Sequence, residues 1–311
     1  MREDKSLLIS YLEQQKMDDS LIHDVVEFRE KYETAEEVRE RVYIPDMLFY
    51  GKDILEMSAA ALLQGENLLL SGAKATGKNV LCETLVWIFG RPSYDISFHV
   101  NTDSASLIGT DTFIHNEVQL RKGPVYQCAE FGGFGILDEV NMAKNDAVSV
   151  LHATLDHRRR IDVPGYARVR LHPATRFIGT MNYGYAGTKE LNEALVSRFM
   201  VVDMPPLSEE TICFLLKKQF ADVKEQALKQ FTGLFLDLQA KVYNGEASAR
   251  SLDLRGLIAS MKAIRSNLPP LLAIRMGIVN KSFDVFEKEM LEDVIATRIP
   301  SSWTRAEIFE G

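Results

Sequence analysis

An α/β fold built on a mostly parallel sheet, preceded and followed by helical segments, is what three features of this 311-residue chain predict. Strand-like and helix-like stretches alternate between Asn67 and Pro206. A glycine-rich loop joins the first strand of that series to a helix. After Pro205-Pro206 the pattern turns helical. Alternation of this kind implies parallel strands joined by crossovers that cover both faces of the sheet.

Residues 1–45 are charged and lack strand signals, with Leu7, Leu8, Tyr11 and Leu12 spaced for one face of a helix. Ile44-Pro45-Asp46 opens a new element, and Met47 to Gln64 reads as an amphipathic helix. The strand candidates are Asn67–Leu70, Tyr94–Val100, Gly135–Asp138, Arg176–Met181 and Met200–Asp203, with a helix from Val80 to Phe89 after the first of them. Alternating residues on either side of Pro164-Gly165-Tyr166 predict a β-hairpin behind the basic run Arg158-Arg159-Arg160, and Phe113 to Arg121 reads as a further insertion. Ser208 is placed to cap a helix whose first turn holds Glu209 and Glu210. The expected organisation is a helical extension over 1–45, an α/β core over 46–206 and a helical segment over 207–311.

Bulk properties narrow the function classes. A hydrophobic fraction of 46% and a charged fraction of 26% are those of an ordinary globular protein. The net charge of -8 argues against nonspecific binding to nucleic acid or anionic membrane. Cys82, Cys128 and Cys213 have no metal or redox spacing, which fits free thiols in a reducing cytoplasm. The six histidines show no ligand spacing, so no zinc site is expected. No apolar run reaches the length of a membrane span, and the charged start is no signal peptide.

Four motifs carry chemistry. Gly72-Ala73-Lys74-Ala75-Thr76-Gly77-Lys78-Asn79, running into Val80, is a phosphate-binding loop between a strand and a helix. Gly72 and Gly77 allow the tight turn that aims backbone N–H groups at an anion, and Lys78 adds a full positive charge for the β and γ phosphates of ATP. The last position usually carries a magnesium-binding hydroxyl. Here it is Asn79, whose amide oxygen can also ligate a hard cation. Next, the apolar strand Phe134–Leu137 delivers Asp138 and Glu139, suited respectively to holding Mg2+ and to polarising an attacking water. Asn182 ends another apolar strand within reach of such a site, although a strand-end asparagine also suits a plain turn. Arg198 closes a short helix; a guanidinium there can bridge phosphate oxygens or simply complement the helix dipole.

In this order the motifs resemble AAA+ ATPases of the MoxR and dynein-related branch, which includes the CbbQ, NorQ and gas-vesicle GvpN proteins. The resemblance runs from about residue 45 to the C-terminus. It rests on Asp138–Ala143, Val150–Asp156, Thr180-Met181-Asn182, Asn192–Leu195 and Ser197-Arg198-Phe199, with Leu107-Ile108-Gly109 and Lys122–Tyr126 ahead of them. It implies a P-loop AAA+ core with an all-helical lid. It makes Asn182 the sensor-1 residue, Arg198 an arginine finger donated to a neighbouring subunit, and Arg255 the sensor-2 arginine that reaches the phosphates in cis, with Arg250 as an alternative. It further implies ATP and Mg2+ bound between core and lid, and a homo-oligomeric ring, expected to be a hexamer. Remodelling of a protein client, alongside a von Willebrand factor A domain partner, is the activity it implies. A small-molecule kinase, a nucleic-acid-directed motor and a nucleotide-gated scaffold with little turnover are the competing readings. The departures from the family pattern are Asn79 and the unmatched first 45 residues.

Overall fold

The computed structural model describes residues 2–99, 101–114, 116–163, 165–182 and 191–310. Helices α1 (Arg2–Gln14), α2 (Asp19–Lys31) and α3 (Lys52–Leu63) lead into β1 (Leu68–Gly72) and α4 (Lys78–Phe89). Then come β2 (Ser93–Ser97), α5 (Ser104–Ile108), the hairpin β3 (Gly109–Ile114) and β4 (Glu117–Lys122), and α6 (Pro124–Phe131). Next are β5 (Phe134–Asp138), α7 (Asn145–Leu155), the short hairpin β6 (Arg160–Ile161) and β7 (Val169–Arg170), β8 (Arg176–Asn182), α8 (Glu193–Val196) and β9 (Met200–Met204). The remainder is helical: α9 (Glu209–Gln219), α10 (Glu225–Tyr243), α11 (Leu254–Arg265), α12 (Pro270–Gly277), α13 (Val285–Arg298) and α14 (Arg305–Ile308).

The chain divides into two compact units, Met1–Ala73 with Gly77–Met204, and Lys74–Thr76 with Pro205–Gly311. In the first, five strands pair in parallel in the order β2-β5-β8-β1-β9. Both faces are covered over the three central strands β5, β8 and β1, which are accordingly buried on both sides, whereas the outer strands β2 and β9 carry exposed residues. Leu68, Leu70, Phe134, Ile136 and Ile178 enter one core, with α1 to α4. Leu69, Leu137 and Phe177 enter the other, with residues of α5 to α7.

The first 32 residues join that first core through a few specific bonds. Leu8, Tyr11 and Leu12 are buried, whereas Leu7, expected on the same face, is exposed. The Trp87 indole donates to Asp4 at 3.1 Å, and Arg29 pairs with the same carboxylate. Two buried arginines act without carboxylate hydrogen-bond partners among the described residues. Arg91 donates to the Tyr32, Phe131 and Gly132 carbonyls, and Arg176 to that of Leu62 at 2.7 Å. Those carbonyls end α2, α6 and α3, so the partial negative charges of three helix C-termini serve as counter-charge. Burial still pushes both guanidinium pKa values down to about 10.

Some expected boundaries shift. The helix predicted over Met47–Gln64 begins only at Lys52. The Phe49 N–H is taken by the Thr84 hydroxyl at 2.9 Å, and Gly51 at φ 155° has no helical backbone. Residues 47–51 therefore stay outside the helix, with Phe49 tied to Thr84 of α4. The strand expected from Tyr94 is Ser93–Ser97; its expected end, Val100, lies outside the described residues, as does Pro164 of the predicted hairpin. The insertion expected over Phe113–Arg121 is the β3–β4 hairpin.

In the second unit, α9 to α14 enclose their own core, centred on Phe231, Phe235, Leu257 and Ile274. Ser208 caps α9, accepting from the Thr211 N–H at 3.2 Å, as its position in the sequence predicts. Arg298 of α13 grips Asp237 of α10 with bonds of 2.6 and 2.9 Å. Gly256 allows α11 to approach α12 closely, since a Cβ there would lie 2.3 Å from the Gly277 oxygen.

Candidate functional site

Parallel pairing sets three of the four motifs side by side. Gly72, the last residue of β1, is level with Asn182, the last of β8. Leu137 of β5 is level with Gly179 of β8, so Asp138 and Glu139 leave the sheet beside Thr180. The loop, the acidic pair and the asparagine thus meet at the C-terminal edge of the sheet, where open α/β folds bind ligands.

The loop's sequence explains its shape. Ala75 and Gly77 both adopt left-handed backbone, at φ 62° and 88°. Gly77 is the N-cap of α4, so the first amides of that helix open onto the loop. The ring of Phe49 lies against it, 3.5 Å from where a Gly77 Cβ would stand, a neighbour that the motif itself does not announce. Lys78 is buried, and its ammonium donates to the Gly72 and Ala73 carbonyls at 2.9 and 2.7 Å. Burial pushes its pKa down to about 8, against which the nearby Asp138 charge works. A cation held at that cost suits a polyanionic ligand, which would stabilise its charged form.

A pH signature follows. In the free protein Lys78 loses its proton well below the ordinary lysine value of 10.5. Phosphate binding favours the charged form, so ATP binding should take up protons between these values and weaken as pH rises through them. Calorimetry at pH about 9 in buffers of different ionisation heat should report net proton uptake. Binding without linked protons contradicts this placement of Lys78.

At the acidic pair, the Thr180 hydroxyl donates to Asp138 Oδ1 at 2.5 Å and accepts from the Glu139 N–H at 3.2 Å. Glu139 has φ 54° and ψ 45°, a left-handed backbone that costs a non-glycine residue about 1–2 kcal/mol. Its side chain is exposed, while Asp138 is only partly so. Asn79, in the first turn of α4, is also exposed. The Asp138 carboxylate and the Asn79 amide oxygen are hard oxygen donors, a set whose chemistry fits magnesium.

Arg198 stands apart from these groups. It lies in the turn after α8, two residues before β9, rather than at a helix end. Met200 of β9 is level with Leu68, the first residue of β1. At about 3.3 Å per residue, that is roughly 13 Å back along the sheet from Gly72. Arg198 therefore sits toward the edge opposite its own phosphate loop. Its guanidinium folds onto the Ala194 carbonyl and lies 3.8 Å from Asp156. Its Nε is buried without a hydrogen-bond partner among the described residues. Asp156 is held at a pKa of about 2, chiefly by the Arg158 side chain bonded to it at 2.8 Å.

Arg255 belongs to the helical unit. It is exposed in the first turn of α11, where the N-cap Asp253 accepts its N–H at 3.0 Å and pairs with Lys281. The other candidate, Arg250, stacks on the ring of Phe283 at 5.6 Å. In the sequence Thr180 enters only as part of the Thr180-Met181-Asn182 motif, with no role of its own. The available signal was its place two residues before Asn182, on the same face of β8.

Known proteins share this sequence pattern. The family described as AAA domain (dynein-related subfamily) matches residues 67–199. The uncharacterized protein YojN of Bacillus subtilis (strain 168) is 34% identical over 250 residues, covering 78% of this chain and 82% of the relative. The uncharacterized protein SERP0979 of Staphylococcus epidermidis is 30% identical over 244 residues, covering 76% and 92%. Among solved structures, a mutant of the Thermotoga maritima RuvB protein aligns with a TM-score of 0.49 at 14% identity, covering 82% of this chain and 70% of that one.

Proposed function

Because the chain belongs to the AAA domain family, in its dynein-related subfamily, we propose that it is a ring-forming ATPase of the MoxR-like branch that remodels a protein client. The observation that carries this reading is the strand register, which gathers Lys78, Asp138, Glu139 and Asn182 at one sheet edge and leaves Arg198 toward the other.

Each residue has a role in the proposed reaction. The loop amides around Ala75, Thr76, Gly77 and Val80 surround the phosphates, and Lys78 binds the β and γ groups. Asp138 and Asn79 would hold magnesium, which when bound neutralises charge on the phosphate oxygens. Glu139 accepts the proton of the attacking water, and Asn182 orients that water against the γ-phosphate. Arg255, which the resemblance makes the sensor-2 arginine, would be the further phosphate contact. Arg198 completes the site of the next subunit: its distance from its own loop and its unpartnered Nε both favour a role in trans.

A head-to-tail interface gives a ring where its rotation closes, and a closed hexamer is the assembly proposed. Client remodelling and a von Willebrand factor A domain partner rest on the resemblance of the motifs alone. Among the described residues no helix is long and apolar enough to cross a membrane. Lys78→Ala tests the assignment most simply. It should abolish ATP binding in calorimetry, since it removes the full charge that the loop places at the β and γ phosphates; undiminished affinity would place the nucleotide elsewhere.

A further inference from the structure

We propose that Thr180 is the positioning residue that sets the Asp138 carboxylate and the Glu139 backbone of the nucleotide site, an inference that rests on the ATPase reading above. Thr180 lies on β8, 2% exposed, beside the point where β5 ends in Asp138. Its hydroxyl has one proton to give and lone pairs to accept with. It gives the proton to Asp138 Oδ1 at 2.5 Å and accepts the Glu139 N–H at 3.2 Å. One buried oxygen thereby fixes the carboxylate of one residue and the backbone of the next.

Both bonds matter because of the backbone between them. Glu139 is held in left-handed conformation, at φ 54°. That turn ends the strand at once, before the short 3-10 turn Val140–Met142, and sends the exposed Glu139 side chain away from the strand's line. An N–H satisfied by Thr180 stabilises this conformation. The Asp138 bond acts on the neighbouring group: a carboxylate with one oxygen occupied by a hydroxyl has a fixed plane and presents its other oxygen in a defined direction. In metal sites, groups of this kind behind a ligand are worth about 10–100-fold in affinity or activity.

The same hydroxyl ties the acidic pair to the strand that carries Asn182. Thr180 and Asn182 lie on one face of β8, and Asn182 is level with Gly72 of the loop. A shift of β8 along its axis would therefore be felt at Asp138, at the Glu139 backbone and beside the phosphate loop together.

Thr180→Val keeps the shape and removes the hydroxyl, whereas Thr180→Ser keeps the hydroxyl and removes the methyl. The full-length valine variant should bind ATP without magnesium as the parent does. It should bind Mn2+ in the presence of ADP about 10–100-fold more weakly by electron paramagnetic resonance, and turn over ATP slower by a similar factor. The serine variant should restore both quantities to within about threefold, with the same principle of ligand orientation at work. Thermal unfolding of both variants checks that each is folded. Parent-like Mn2+ affinity and turnover in the valine variant overturn the proposal, as does a serine variant as impaired as valine, which would assign the effect to methyl packing. Failure of the parent protein to hydrolyse ATP sinks the ATPase reading instead, and the Mn2+ measurement does not depend on turnover.

Discussion

Replacing Arg198 with alanine should leave ATP affinity of the isolated protomer unchanged and slow hydrolysis by up to about 10³–10⁵-fold, the effect of losing an arginine finger. The expectation comes from position. Arg198 precedes β9, whose first residue pairs with the first residue of β1 rather than with the phosphate loop at its end. A side chain there cannot be a ground-state contact of its own nucleotide, so binding by a single protomer does not report its loss. Its Nε has no partner among the described residues, which suits a group whose contacts are completed by another subunit. Its guanidinium donates to the Ala194 carbonyl and lies 3.8 Å from Asp156. Steady-state turnover and equilibrium nucleotide binding, measured on the same preparation, check the prediction; a matching loss of affinity would return Arg198 to its own site.

Glu139→Gln should also bind ATP normally, but hydrolyse it about 10²–10⁴-fold more slowly, the usual contribution of a positioned general base. Glutamine keeps the length and the backbone N–H that Thr180 accepts, and removes only the basicity. The exposed carboxylate has no structural bond to lose among the described residues, so the variant should melt with the parent. Wild-type turnover in a well-folded Glu139→Gln protein would contradict its role as base. The separation of the two variants matters. Lys78→Ala is blocked at binding, whereas Arg198→Ala and Glu139→Gln are blocked after it.

Much of this arrangement is legible in the residues alone. The five strand candidates become the five sheet strands, and each ends within a few residues of where the chain leaves the sheet; the three central ones are apolar on both faces, as buried parallel strands must be. Asp138, Glu139 and Asn182 are found by the same rule, since polar residues ending apolar strands fall at the sheet's rim. What escapes the sequence depends on contacts between distant segments. The late start of α3 follows from the bond between Phe49 and Thr84 on α4. The docking of α1 depends on Asp4 meeting Trp87, 83 residues later. The buried Arg91 and Arg176 read as surface charges until the three helix ends that surround them are known. Thr180 reads as an ordinary strand threonine, because only pairing of β8 with β5 brings its hydroxyl to Asp138.

The central claim is that one active site takes Glu139 from one subunit and Arg198 from the next. Mixing the two inactive proteins, Arg198→Ala and Glu139→Gln, tests it directly. Each alone should be nearly silent. At equal amounts, random assembly in a head-to-tail ring gives about a quarter of the interfaces both an intact Glu139 and an intact neighbouring Arg198. ATP turnover should therefore reappear on mixing, and vanish again when Lys78→Ala is added to the Arg198→Ala chain. A mixture that stays as silent as its components, under conditions where the two proteins are seen to co-assemble, would contradict the shared site.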